Sequence, residues 1–144
     1  MRIFGLDVGT RTVGVAVSDA LGMTAQPLTT LRRTGLRANL AELRRLAETH
    51  EVRQAVVGLP LNMDGTEGPS AAAARAFGEA LAQALDIPVE DQDERLSTVA
   101  AQRALLEADV SRARRREVVD QVAAALILQT WLDTRQGNPT GDDA

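Results

Sequence analysis

The run Ile3-Phe4-Gly5-Leu6-Asp7-Val8-Gly9 has the continuous apolar character of a central β-strand, yet it carries a carboxylate near its end. A lone charge buried in a sheet costs several kcal/mol unless it is paired or bound to metal. Asp7 therefore calls for a cation beside it. Asp120 breaks a second pattern. At about 100° per residue its stripe on a helix continues through Ala124, Ile127 and Trp131, with Gln129 and Asp133 opposite, so its carboxylate points inward.

The elements around these two positions define the architecture. Residues 2–8 and 13–18 read as strands, with Gly9-Thr10-Arg11-Thr12 between them as a hairpin connection. Residues 24–33 form a third strand, and Pro27 places it at an edge because proline cannot donate to a central ladder. A helix is expected over 35–50, where Leu36, Leu40, Leu43 and Leu46 recur at helical spacing, and a short buried strand over 55–59. The turn-rich loop Pro60-Leu61-Asn62-Met63-Asp64-Gly65-Thr66-Glu67-Gly68-Pro69 follows, and Ser70 caps an alanine-rich helix that runs to Leu85. A strand over 87–91 and helices over 97–108 and 112–134 complete the order.

Strands joined first by hairpins and later by helical crossovers predict an α/β fold: a mixed five-stranded sheet, antiparallel on one side and parallel on the other, flanked by helices. One domain over 1–136 and a frayed tail over 137–144 are expected. Asp7, at the carboxyl end of the first strand, and Glu94, just beyond the last, then meet at the ligand-binding edge of the sheet. The final helix folds across and delivers Asp120 from its N-terminal end.

Composition restricts the chemistry that this edge can perform. The 144 residues include no cysteine and a single histidine, His50, so thiolate nucleophiles, disulfides and cysteine-ligated zinc are excluded. Oxygen donors alone suit a hard cation, Mg²⁺ or Mn²⁺. Carboxylates from separated segments can hold two such ions, one activating water and the other stabilising the leaving oxygen of a phosphodiester. All 16 basic residues are arginine, the side chain that grips phosphate bidentately, and Arg112, Arg114, Arg115 and Arg116 cluster just upstream of Asp120. Positive charge beside a carboxylate site is what a nucleic-acid substrate requires. No window approaches the roughly 20 apolar residues of a membrane span, and the chain opens on a strand rather than a leader, so a soluble cytoplasmic protein is expected.

Four stretches occur in order along nearly the whole chain: Gly5-Leu6-Asp7-Val8-Gly9-Thr10-Arg11-Thr12-Val13-Gly14, Val57-Gly58-Leu59-Pro60-Leu61-Asn62-Met63-Asp64-Gly65-Thr66, Asp93-Glu94-Arg95-Leu96-Ser97-Thr98 and Val119-Asp120-Gln121-Val122-Ala123-Ala124. Together they resemble the YqgF family of Holliday-junction-resolvase-like proteins, also described as nucleases trimming the precursor of small-subunit ribosomal RNA. The resemblance implies a ribonuclease H-like fold and a metal-binding catalytic triad of Asp7, Glu94 and Asp120. It also implies nucleic-acid contacts by Thr10 and Arg11 of the first motif, Asn62 and Asp64 of the second, and Arg95 of the third. Each of the last three has a plainer reading: Asn62 and Asp64 as turn residues, and Arg95 as a partner of Glu94. Upstream of Asp120, where relatives commonly carry lysine, this chain has arginines and Glu117.

The expected activity is metal-dependent hydrolysis of phosphodiesters in structured nucleic acid, with the rRNA precursor or branched DNA as partner and a monomer or homodimer as the working unit. Two other readings keep the fold. One is a non-catalytic nucleic-acid or ribosome-associated binding module. The other is a nucleotide-binding domain, because Asp7-Val8-Gly9-Thr10 resembles the phosphate loops of sugar kinases and actin, but those proteins enclose their nucleotide with a second domain that 144 residues cannot supply.

Overall fold

The computed structural model describes residues 1–96 and 112–137. Five strands, β1 (Arg2–Val8), β2 (Thr12–Ser18), β3 (Ala25–Arg32), β4 (Val52–Leu59) and β5 (Val89–Asp93), form one sheet in the order β3-β2-β1-β4-β5. The pairs β1–β2 and β2–β3 are antiparallel, and β1–β4 and β4–β5 are parallel. This is the mixed sheet expected from the order of elements. β1 lies at its centre, and Pro27 lies in the edge strand β3.

Alternation along the strands sorts side chains onto two faces. Phe4 and Leu6 of β1, Val13, Val15 and Val17 of β2, and Val57 of β4 join Leu43, Leu46, Phe77 and Leu81 from helices α1 (Leu36–His50) and α2 (Pro69–Leu85) in one core. Ala16 and Val56 face the other way and pack against Ala124, Ile127, Leu128 and Trp131 of the last helix, α3 (Arg112–Gly137). The stripe containing Asp120 is thus the stripe that α3 lays on the sheet. Gly5 belongs to the same face, where a Cβ would stand 2.6 Å from the Cβ of Leu128, so its lack of a side chain lets α3 lie close to β1.

Several boundaries differ from expectation for local reasons. α2 begins at Pro69 with Gly68 as its N-cap, so Ser70 lies inside the first turn rather than capping it; proline at the first helical position is pre-organised for that start. β4 starts at Val52, three residues early. β5 spans 89–93 rather than 87–91, because Pro88 has no N–H for the ladder and contributes only its carbonyl, which accepts from Ala55 N. Gln129 is not turned away from the sheet: its Oε1 accepts from Ala25 N and its Nε2 donates to Met23 O, fastening α3 to the start of β3. The expected helix over 97–108 lies outside the described residues, as do positions 138–144 of the expected tail; α3 itself extends to Gly137.

Candidate active site

Asp7 occupies the last turn-side position of β1 that faces α3, since it shares the face of Ile3 and Gly5 by alternation. Its partner on β2 is Gly14. On the other flank Leu6 pairs with Val57, so Gly58 follows beside Asp7. The carboxylate thus stands between two glycines on neighbouring strands. Each glycine clears room for another acidic residue. A Cβ on Gly14 would lie 2.0 Å from the backbone oxygen of Asp120 and 3.1 Å from its Cβ. A Cβ on Gly58 would lie 2.8 Å from Oε2 of Glu94 and 2.5 Å from Cδ1 of Ile127.

The two missing side chains are what bring Asp120 and Glu94 down onto the sheet on either side of Asp7. Asp120 is half-buried on α3 and accepts a hydrogen bond at Oδ2 from the Thr12 hydroxyl. Thr12 is the first residue of β2 and, two positions before Gly14, shares its face. Glu94 opens a 3₁₀ turn, Glu94–Leu96, directly after β5, and is half-buried there.

Among the described residues no three histidine, aspartate or glutamate side chains are gathered closely enough to form a ready ion cage. The acidic groups ring the Gly14–Asp7–Gly58 row instead of closing on one another. The donor set is nonetheless all oxygen, and the cradle over Gly58 holds a carboxylate oxygen where a side chain would otherwise be. Both features fit a hard divalent cation rather than a thiolate or imidazole site.

The remaining candidate residues divide by what they touch. Thr10 and Arg11 form the exposed tip of the β1–β2 turn, closed by Gly9 N donating to Thr12 O at 2.9 Å. Asn62 and Asp64 direct their side chains inward to their own loop. Asn62 Nδ2 donates to Thr66 Oγ1 at 2.9 Å, and Asp64 Oδ1 accepts from both the hydroxyl and the N–H of Thr66. Those two bonds, the hydroxyl first, hold the Asp64 carboxyl below the usual carboxylate range. Gly65 allows the turn with φ of +90°.

Arg95 departs from the suggested pairing with Glu94. Its Nη2 and Nε grip Asp93, at 2.8 and 3.1 Å, and its Nη1 reaches Met63 O at 3.3 Å. The fork is set by adjacency: Arg95 N also donates to Asp93 Oδ1, so the two side chains share one turn. The guanidinium holds the Asp93 carboxyl low and ties the 62–66 loop to the end of β5, beside Glu94. Arg75 of α2 adds a second tie, bonding Glu67 at 3.0 Å and Asp91 at 2.9 Å. Burial pushes the Asp91 carboxyl up in spite of that arginine.

The backbone of Arg112, Arg114, Arg115 and Arg116 forms the start of α3, two turns before Asp120, while their side chains lie outside the described residues, as do Ser97 and Thr98. All three aromatic side chains of the sequence, Phe4, Phe77 and Trp131, are buried, so none offers a platform for stacking bases.

Comparison with known proteins identifies the family and the fold. A relative from Myxococcus xanthus, named as a candidate pre-16S rRNA nuclease, is 66% identical over 136 residues, covering 94% of this chain and 90% of its own length. One of the same name from Moorella thermoacetica is 60% identical over 133 residues, covering 92% and 95%. Among solved structures, RuvC of T. thermophilus in complex with Holliday junction substrate superposes with a TM-score of 0.58 at 12% identity, covering 95% of this chain and 97% of that one. At that identity the likeness speaks for the fold, which is that of ribonuclease H. The profile of the RuvX (YqgF) family, described as Holliday junction resolvase, matches residues 1–134, and the chain belongs to this family of nucleases.

Proposed function

We propose that the chain is a divalent-metal-dependent nuclease that processes the 5′ end of pre-16S rRNA during ribosome biogenesis in the cytoplasm. The observation that carries this reading is Asp7 standing between Gly14 and Gly58, with Asp120 and Glu94 seated over those glycines. Its relatives' names point to the same substrate.

Asp7, Glu94 and Asp120 would hold Mg²⁺ or Mn²⁺. The chemistry supplied by such ions is Lewis-acid polarisation of the phosphodiester and activation of the attacking water. The protein's own part is positional. Thr12 fixes the orientation of the Asp120 carboxylate through its hydroxyl. Arg95 and Arg75 hold the 62–67 loop against β5, so the wall beside Glu94 keeps its shape. Arg11, exposed at the turn and in no ion pair among the described residues, and the arginines at the start of α3 would hold phosphates of the substrate. With no exposed aromatic ring, recognition depends on backbone shape and phosphate spacing.

A second reading, resolution of four-way DNA junctions, draws on the family's description. It requires two symmetric cuts and hence a homodimer, whereas trimming one RNA end needs a single active subunit. The discriminating experiment offers the purified protein a labelled pre-16S fragment and a four-way junction, each with Mg²⁺ or Mn²⁺ and with chelator. We expect metal-dependent cleavage of the RNA at a defined position and little cutting of the junction. Paired symmetric nicks in the junction with intact RNA would replace this reading with the second. Binding of either without cleavage would leave a non-catalytic module.

A further inference from the structure

The β1–β2 turn has a second side. On the face of the sheet that carries α1 and α2, away from the carboxylates, Gly9, Thr10, Arg33, Thr34, Gly35 and Ser70 line an open cavity of about 410 Å³. Arg33 is the only charged lining residue among the described residues, and it is held in place. Its guanidinium carbon lies 5.3 Å from the centre of the Phe77 ring, its Nη1 donates to Gly9 O at 2.9 Å, and its backbone N donates to Arg11 O at 2.8 Å. Among the described residues no carboxylate pairs with it. Most of its donors are therefore uncommitted, beside the hydroxyls of Thr10, Thr34 and Ser70.

The surroundings favour an anion rather than a neutral ligand. Among the described residues no aspartate or glutamate lines the cavity. α1 and α2 both begin at its rim, on Gly35 and Gly68, with no side-chain cap and no acidic residue in either first turn. Their N-terminal amides add to a positive field that Arg33 and the hydroxyls already establish.

We infer that this cavity is a phosphate-binding pocket that seats a backbone phosphate of the nucleic-acid substrate, on the side of the turn opposite the carboxylates. The inference rests on the nuclease reading for the identity of the substrate. A strand crossing the sheet edge at Gly9 and Thr10 would present one phosphate to the carboxylates and another to Arg33. Because the pocket holds one phosphate, its contribution is independent of base sequence.

The test measures binding, so that it does not depend on turnover. Anisotropy of a labelled pre-16S fragment is followed over a range of salt for wild type, for Arg33→Met, which keeps an apolar stem over Phe77, and for Ser70→Ala. Thermal melts with and without inorganic phosphate accompany each protein and verify folding. We expect Arg33→Met to bind the fragment roughly tenfold more weakly and to lose about one unit of salt slope. Ser70→Ala should show a smaller loss, and inorganic phosphate should raise the melting temperature of wild type but not of Arg33→Met.

Unchanged fragment affinity and unchanged phosphate response would overturn the pocket. Loss of the phosphate response alone would show a site for free phosphate and overturn the substrate assignment. Loss of fragment affinity without any phosphate response in wild type would reduce Arg33 to a distant charge and overturn it as well. Failure of wild type to cleave would count against the nuclease reading and leave these binding outcomes to be judged separately.

Discussion

Asp7→Asn is expected to lower cleavage by roughly 10³-fold or more while leaving a folded protein whose melting temperature is unchanged or higher. Removal of one group that stabilises developing charge costs roughly 10²–10³-fold in comparable sites, and a residue that holds the ions themselves should cost at the upper end of that range or beyond. Asp7 lies in the central strand, where its charge is expensive to hold, so an isosteric neutral amide removes a cost to folding as it removes the proposed ion ligand. The separation of the two effects is the informative part. A purely structural Asp7 would lose stability and activity together. Steady-state cleavage and a thermal melt of the same preparation give both numbers, and a variant that cleaves as fast as wild type would remove Asp7 from the site.

Gly14→Ala is expected to damage both properties at once. The added Cβ would stand 2.0 Å from the Asp120 oxygen and 2.4 Å from its carbonyl carbon, and both obstacles are backbone, so α3 or β2 must move. Overpacking of this kind costs about 1–3 kcal/mol or more, which lowers the melting temperature by roughly 3–12 °C in a domain of this size. Because the displaced segment carries Asp120, cleavage should fall far more than the lost stability explains. Gly22→Ala supplies the contrast. Gly22 has φ of +68° and nothing within 4 Å of an added Cβ, so alanine there strains the backbone by about 1 kcal/mol without touching the carboxylates. Similar melting shifts with divergent activities would locate the Gly14 effect at Asp120.

Much of this arrangement is legible in the sequence because charge interrupts apolar periodicity. Asp7 and Asp120 stand out against a strand and a helical stripe that are otherwise hydrophobic, and the structure places both on the α3 face of the sheet. Glu94 gives no such signal within Asp91-Gln92-Asp93-Glu94-Arg95; only the topology carries it to the end of β5. The glycines were harder to interpret. Gly14 reads equally well as a hairpin residue, and its actual role, clearance for the backbone of a helix over a hundred residues away, is visible only once α3 is packed. Thr12 was missed for the same reason: its hydroxyl finds Asp120 across the fold.

Arg95 adds a contact that its sequence context did not announce: besides the phosphate contact expected of it, it forms a local fork with Asp93, two residues away. Arg33 had no signal in its own sequence context. What distinguishes it is the convergence of the β1–β2 turn, the β3–α1 connection and the start of α2 on one cavity.

The most direct test of the central claim, that Asp7, Glu94 and Asp120 together bind the catalytic ions, is a Mn²⁺ titration followed by electron paramagnetic resonance, with an uncleavable phosphorothioate analogue of the substrate present. Wild type is expected to take up Mn²⁺ with signal loss from the free ion, and Asp7→Asn, Glu94→Gln and Asp120→Asn are each expected to weaken that uptake by at least about tenfold. Equal Mn²⁺ uptake by wild type and all three variants, or none by wild type, would contradict the claim.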